Sequence, residues 1–312
     1  NMCKNAIVIL TRFPNNIWLN FLNGFNNYDV YISIDDNNRD YIELFSKLNT
    51  KIKIIQIDDN FSKKFGYYNS LIPTPTVPNK VLSWDKALFY FCIVKKNYKN
   101  VWFIEDDVFF LKEEVLMNID SKYKESDLLT NENDVNNNGN LKGWDNWYTA
   151  LGKIRLPWVK SMVCACRVSN KLLNLIMEYA KKHNILFYHE VMFNTLAYQN
   201  NLKIDTPSEL STIHFRTEWN TNNLNLNNLY HPIKDMNIHN KIRYDNRLYL
   251  QNIFNSVNYD GAKAFHFNPI SLLPDGFNFN SYRKYSDLKN LSNEDIISHW
   301  FRYGHSENRE YK

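Results

Sequence analysis

The chain has 312 residues, of which 37 are Lys or Arg and 33 Asp or Glu, with a formal net charge of +4, 44% hydrophobic residues and 15% aromatic ones. This is enough for one large domain or two smaller ones around a sizeable core. The mild, scattered charge argues against a nucleic-acid track, and no apolar run approaches the roughly 20 residues that a bilayer span requires. No leader pattern opens the chain. Met2, after Asn1, is read as the native start, and a cytoplasmic protein without a signal peptide or transmembrane segment is expected.

Ala6–Leu10 is a β-rich run ending in Thr11-Arg12, and Pro14 prevents the strand from continuing. Trp18–Phe25 has helical spacing, placing Trp18, Phe21, Leu22 and Phe25 on one face. Val30–Ile34 is a second strand, stopped by Asp35-Asp36-Asn37-Asn38. Tyr41–Leu48 is helical, and Ile52–Ile57 is a third strand closing on Asp58-Asp59. Ser83 is placed as the cap of a helix running to about Lys96. A strongly apolar strand then ends in Glu105-Asp106-Asp107.

Residues 118–148 are polar and Asn-rich, and read as a mobile insertion or acceptor loop. Trp158–Val168 comes next as a strand, Ser169 caps a helix over Lys171–Lys182, and Tyr188-His189-Glu190 leads into a helix over Val191–Tyr198. A second Asn-rich loop, 220–228, precedes Tyr230-His231-Pro232-Ile233-Lys234-Asp235. From Leu273 onward, two short helices with aromatic anchors form a small appended element.

Strand–helix alternation predicts a three-layer α/β fold with a mostly parallel central sheet. Ligands in such sheets bind outside the carboxyl ends of the strands. Here those ends carry Thr11-Arg12, Asp35-Asp36, Asp58-Asp59 and the acid triplet. Three carboxylates at the mouth of a buried strand repel one another and lose hydration unless a positive group meets them. Mg²⁺ or Mn²⁺ holding a diphosphate is one solution, since both prefer oxygen ligands. A solvated acidic turn is the other.

Taken together, these residues resemble the GT-A fold of nucleotide-sugar glycosyltransferases, over about residues 5–240, with 241–312 as a C-terminal extension. Glu105-Asp106-Asp107 is similar to the EDD variant of that family's DxD motif, found in some inverting N-acetylglucosaminyltransferases. The resemblance implies a metal-dependent transferase moving a sugar from a nucleoside-diphosphate sugar, a UDP-sugar first, to a hydroxyl on a glycan or protein. It implies Asp107 as ligand of a Mn²⁺ or Mg²⁺ ion, with Glu105 and Asp106 in support and His231 completing the metal shell. Asp35 and Asp36 would meet base and ribose, and Lys234 the diphosphate. Thr11 and Arg12 would join the donor site. Glu190 is the implied general base of an inverting reaction, although His189-Glu190-Val191 lacks the Asp that usually comes after the Glu. The C-terminal Tyr282…Asp287-Leu288…His299-Trp300…Gly304…Glu307…Arg309 pattern resembles a short module appended to enzymes and surface proteins of bacteria and large DNA viruses. The Asn/Ile/Lys-rich composition is similar to that of giant-virus transferases, hence an expected viral source.

Each assignment has a plainer counterpart. Lys86 could reach donor phosphates from its helix start, or pair with Asp85. Glu190 could simply favour the positive end of its helix. His231, held extended by Pro232, could be an ordinary loop histidine. Trp144, Trp147, Tyr148 and Trp158 could stack on sugars or fill the core. Cys164 and Cys166, among only four cysteines, are read as structural strand residues in a reduced protein. A catalytically silent glycan-binding relative and a metal-dependent phosphodiesterase are the alternatives of function.

Overall fold

The computed structural model describes residues 5–72, 78–248 and 259–312. A seven-stranded sheet runs in the order β3-β2-β1-β4-β8-β5-β9. Its strands are β1 (Ala6–Thr11), β2 (Asp29–Ile34), β3 (Lys53–Ile55), β4 (Asn100–Glu105), β5 (Leu128–Leu129), β8 (Ala165–Ser169) and β9 (Ile204–Asp205). All neighbours are parallel except β8, which runs antiparallel to β4 and β5. β6 (Asp134–Asn136) and β7 (Trp158–Lys160) form a separate antiparallel pair. The expected α/β architecture, with a mostly parallel sheet and a small C-terminal helical element, is the one the chain adopts.

β1 and β4 are apolar between their ends, over Ala6–Leu10 and Val101–Ile104, because both sheet faces are covered. Ala6, Val8 and Leu10 of β1 and Val101 and Phe103 of β4 join one core cluster, whereas Ile7, Ile9, Trp102 and Ile104 join the other. Helices α1 (Asn16–Asn23), α2 (Tyr41–Ser46) and α5 (Glu113–Lys122) cover the second face. Helices α3 (Asp59–Lys64), α4 (Ser83–Phe89), α6 (Asn170–His183) and α7 (His189–Gln199) lie with the first. Helix α8 (Met236–Asp245) crosses residue 240 and sets the Arg243 guanidinium 3.4 Å above the Phe21 ring. The C-terminal helices α9 (Phe279–Tyr282) and α10 (Asn293–Arg302) dock on the first face, where Phe301 meets Phe61, Phe65 and Phe89. Among the described residues, no helix is long and apolar enough to cross a membrane.

Three sequence expectations are corrected. Residues 118–148 are not one mobile loop: α5 runs to Lys122, and β5 and β6 come after it. Trp158–Val168 is not one strand. The chain leaves the small sheet after Lys160 and enters the large one at Ala165, turning where Ser161 N–H donates to the Glu190 carbonyl at 2.9 Å. Ser83 is not the helix cap. Leu82 holds that position, and the Asp85 carboxylate accepts from the N–H groups of Leu82 and Ser70, both at 2.9 Å. The helix ends as a π-turn over Tyr90–Val94.

One buried ionic network ties α5 to β4 and β8 at the level of Trp102. The Arg167 guanidinium of β8 meets Asp120 Oδ1 at 2.9 Å and donates to the carbonyls of Tyr123 and Ser126 at 2.7 and 2.8 Å. Asp120 also accepts from Tyr28 Oη at 2.7 Å and Trp102 Nε1 at 3.1 Å. Removing one partner strands the other charge in the core. Asp120→Ala is therefore expected to destabilise the fold by about 3–5 kcal/mol, read as a lower urea midpoint. A midpoint within error of wild type would show the network to be idle.

Candidate functional site

Glu105 is the last residue of β4, on the face covered by α4. There Trp84 Nε1 donates to Glu105 Oε1 at 2.8 Å, while the Trp84 ring stacks on Phe103. A buried indole N–H needs an acceptor, and this one orients a carboxylate at the sheet edge. Asp106 turns the other way, accepting from Thr11 Oγ1, while its carbonyl accepts from Trp18 Nε1 at 2.8 Å. Asp107 faces the cleft. Its Oδ1 is buried and makes no hydrogen bond, and His231 Nε2 lies 3.3 Å away. His231 Nε2 is also 3.9 Å from Glu105 Oε2.

The segment bearing His231 is clamped on both sides. Phe109 and Tyr230 exchange backbone hydrogen bonds, Ile233 N–H donates to the Asp107 carbonyl at 2.7 Å, and His231 N–H donates to the Thr212 carbonyl at 3.2 Å. His231 Nδ1 lies 2.6 Å from the His214 carbonyl. A carbonyl only accepts, so Nδ1 carries the proton. Nε2 then presents either a lone pair or a second proton to two carboxylates. Burial alone would lower the His231 pKa, but Asp107 and Glu105 outweigh it and hold it raised. A lone pair facing carboxylates is repulsive unless a cation lies between them. An imidazole oriented through its other nitrogen is also the usual form of a histidine ligand.

Glu105, Cys164 and His231 offer ligand atoms that all lie within 4.8 Å of one another. Cys164 ends the link into β8, and its carbonyl accepts the Glu105 N–H at 2.8 Å. Burial pushes its thiol well up, with Glu105 and Glu190 adding to the effect. By donor type and spacing, and not by the thiol's titration, the set fits a divalent cation, with Asp107 beside it on the His231 side.

Glu190 sits in the first turn of α7, buried. Burial pushes its carboxyl up to about 7, opposed by the Tyr188 hydroxyl and reinforced by Glu105. His189 before it is buried against Trp84 with both ring nitrogens unpaired, and burial holds it down at about 3. Trp144 stacks on Tyr188 at 6.0 Å, with Lys160 Nζ 5.5 Å over its ring. Trp147 and Trp158 are core residues, whereas Tyr148 is exposed.

On the other side of the cleft, Lys86 is fully buried. Its ammonium meets Asp59 Oδ1 at 3.0 Å and the Asp35 carbonyl at 2.9 Å, bracing the ends of β2 and β3. Burial pushes Asp35 up to about 6 against the pull of Lys86. Asp36 accepts from Tyr41 Oη at 2.9 Å and from Asn38 Nδ2 at 2.6 Å, shaping its own loop. Arg12 is exposed and, with Phe13, Asp36, Asn38, Arg39 and Tyr41, lines a recess of about 280 Å³. Lys234 is exposed just past the clamped segment.

Glu105, Asp107 and His231 thus converge, Glu190 lies within electrostatic reach, and Thr11 and Lys86 brace strand ends. Sequence reasoning passed over Trp84 and His214, and read Cys164 as a structural strand residue. Trp84 carried a signal, since an indole beside a helix start below an acidic strand end has few acceptors to choose from. His214 acts through its backbone and carried none.

No family model and no curated protein matches the sequence. Among solved structures, the chain is similar to the mannosyltransferase Ktr4p from S. cerevisiae, at 12% identity over 63% of this chain and 65% of that one, with a TM-score of 0.33. It is also similar to mouse xyloside xylosyltransferase 1 in its apo form, at 9% identity over 65% of this chain and 84% of that one, with a TM-score of 0.32. The chain spans less than two thirds of the length of the yeast mannosyltransferase. These superpositions are loose, so the chemistry of the site rests on the side chains of this chain alone.

Proposed function

We propose that this chain is a metal-dependent glycosyltransferase of GT-A type, moving a sugar from a nucleoside-diphosphate sugar, a UDP-sugar first, to a hydroxyl on a glycan or protein with inversion. The observation that carries this reading is the orphaned, buried Asp107 Oδ1 facing an oriented His231 Nε2 beside Glu105, at the carboxyl end of parallel strands. The transferase unit is taken as residues 5–240, a boundary that α8 overruns to Asp245, with the C-terminal element from Leu273 as an accessory covering apolar surface.

A bound divalent cation supplies charge neutralisation for the departing diphosphate. The chain's own residues do the rest. Trp84 fixes Glu105, and Thr11 holds Asp106 back from the cleft, so that Glu105, Asp107 and His231 present their free atoms together. Asp36 and Arg12 border the recess assigned to base and ribose, with Asp35 beside Asp36 at the end of β2, and the exposed Lys234 is assigned to the diphosphate. Lys86 supports the donor side indirectly, by holding the β2 and β3 ends in place. Glu190 takes the proton of the acceptor hydroxyl. Its raised pKa suits a base that works near neutral pH. The half-buried Trp144 beside Tyr188 offers an aromatic face near that position.

Asp107→Ala is expected to abolish metal-dependent UDP binding and transfer while leaving the circular dichroism spectrum unchanged. In wild type, UDP with Mn²⁺ at 100 times the dissociation constant should add about 2.7 kcal/mol of apparent stability, visible as a raised melting temperature. If Asp107→Ala keeps that shift, the cation assignment fails.

Glu190→Gln keeps the shape and loses the acceptor of the proton. Transfer should fall by about 10²–10⁴-fold with donor binding intact. The base works only when ionised, so wild-type turnover should rise with pH through about 7, and that limb should vanish in the variant. Stability runs the opposite way: a carboxyl raised in the folded state favours its neutral form, so its contribution is lost as pH climbs from the unfolded value of 4.5 through about 7. A retained anomeric configuration in the product would rule out the inverting mechanism and leave the cation site standing.

A further inference from the structure

We propose that the centre at the end of β4 is a mixed oxygen, nitrogen and sulfur site in which Cys164 is a direct ligand, so that it takes Zn²⁺ or Co²⁺ in preference to Mg²⁺. This rests on the cation reading above and adds the identity of the ion.

The Cys164 sulfur, a Glu105 carboxylate oxygen and a His231 ring nitrogen already lie within 4.8 Å of one another. His231 Nε2 is 3.9 Å from Glu105 Oε2 and 3.3 Å from Asp107 Oδ1. Metal–ligand lengths of ~2.0–2.3 Å set ligand atoms ~3.3–3.8 Å apart around a tetrahedral ion, so the donors need only a small inward movement. The Cys164 backbone is fixed beside Glu105 by the 2.8 Å bond from the Glu105 N–H to the Cys164 carbonyl. Cys164 is buried and free of any disulfide, as is Cys166, which joins the core cluster and lies outside the donor set.

Ligand chemistry then decides the ion. Thiolates favour zinc and other soft or borderline cations, whereas magnesium wants oxygen in an octahedral shell. On binding, the Cys164 S–H bond breaks, its electron pair goes to the metal and the proton leaves to solvent. A site of carboxylates and imidazole alone would show no sulfur dependence.

The test is a Co²⁺ titration of the whole chain in a non-thiol reductant, read by absorption and calorimetry. Wild type and Cys166→Ser should show the near-ultraviolet sulfur-to-cobalt charge-transfer band, and Cys164→Ser and Cys164→Ala should not. Loss of the thiolate should weaken Co²⁺ binding by about 10–100-fold or more, the range lost even when groups one shell further out are removed. Mg²⁺ binding should change far less. A wild-type spectrum without the band overturns the proposal whether or not the variants fold, and so does a band that survives Cys164→Ser. UDP binding, measured separately with Mg²⁺ or Mn²⁺, keeps the two readings apart. Nucleotide binding without the band removes only the sulfur ligand, whereas the band without nucleotide binding removes only the transferase reading.

Discussion

The arrangement depends on what happens where β4 leaves the sheet. A strand buried on both faces delivers three acids in succession to a single edge, and there is no water behind them to spread their charge. Each acid therefore goes to a different neighbour. Asp106 returns to β1 through Thr11, Glu105 is turned toward α4 by Trp84, and Asp107 is left with His231. Burial holds Glu105 and Asp106 above their ordinary range. The edge thus gathers negative charge that His231 faces, and it favours positive groups over negative ones.

The two walls of the cleft answer to different physics. On the β2–β3 side, Lys86 is spent internally: its ammonium gathers Asp35, Asn37 and Asp59, so that wall is rigid before any ligand arrives. Gln56 adds to this rigidity by bridging Tyr41 and the carbonyls of Asp36 and Arg39. On the α7 side, groups are buried without being satisfied. His189 has two unpaired nitrogens, and Glu190 sits near the midpoint of its titration at neutral pH. A pre-formed wall facing an unsatisfied one suits a site that holds one partner firmly and exchanges protons with another.

Much of the fold was legible from periodicity alone. β1, β2, α1 and α6 stand within a residue or two of where apolar spacing and capping residues put them, because both signals are local. The errors arose where long-range pairing overrides local pattern. Trp158–Val168 is mostly apolar, yet Ser161 anchors to α7 midway and divides it between two sheets. Residues 118–148 are too polar to suggest order, but Asp120 is held by Arg167 from a strand far along the chain. The site was legible as a list of acids at strand ends. Its discrimination was not: that Asp106 braces while Glu105 joins a thiol and an imidazole depends on side-chain direction, which spacing does not encode.

The aromatic seam of Phe301 with Phe61, Phe65 and Phe89 also bears on how the protein comes into being. One core cluster draws on residues from Ala6 to Phe301, so its contacts span nearly the whole chain. On a ribosome, the outer face of α3 and α4 stays bare until residue 301 has emerged, some two hundred residues after those helices are made. During that interval the nascent chain exposes a sticky phenylalanine patch on α3 and on α4, the helix that carries Trp84. Contacts closed this late make folding slow and the waiting intermediate prone to association. The order of synthesis, as well as the finished fold, therefore bears on how much of this protein folds correctly.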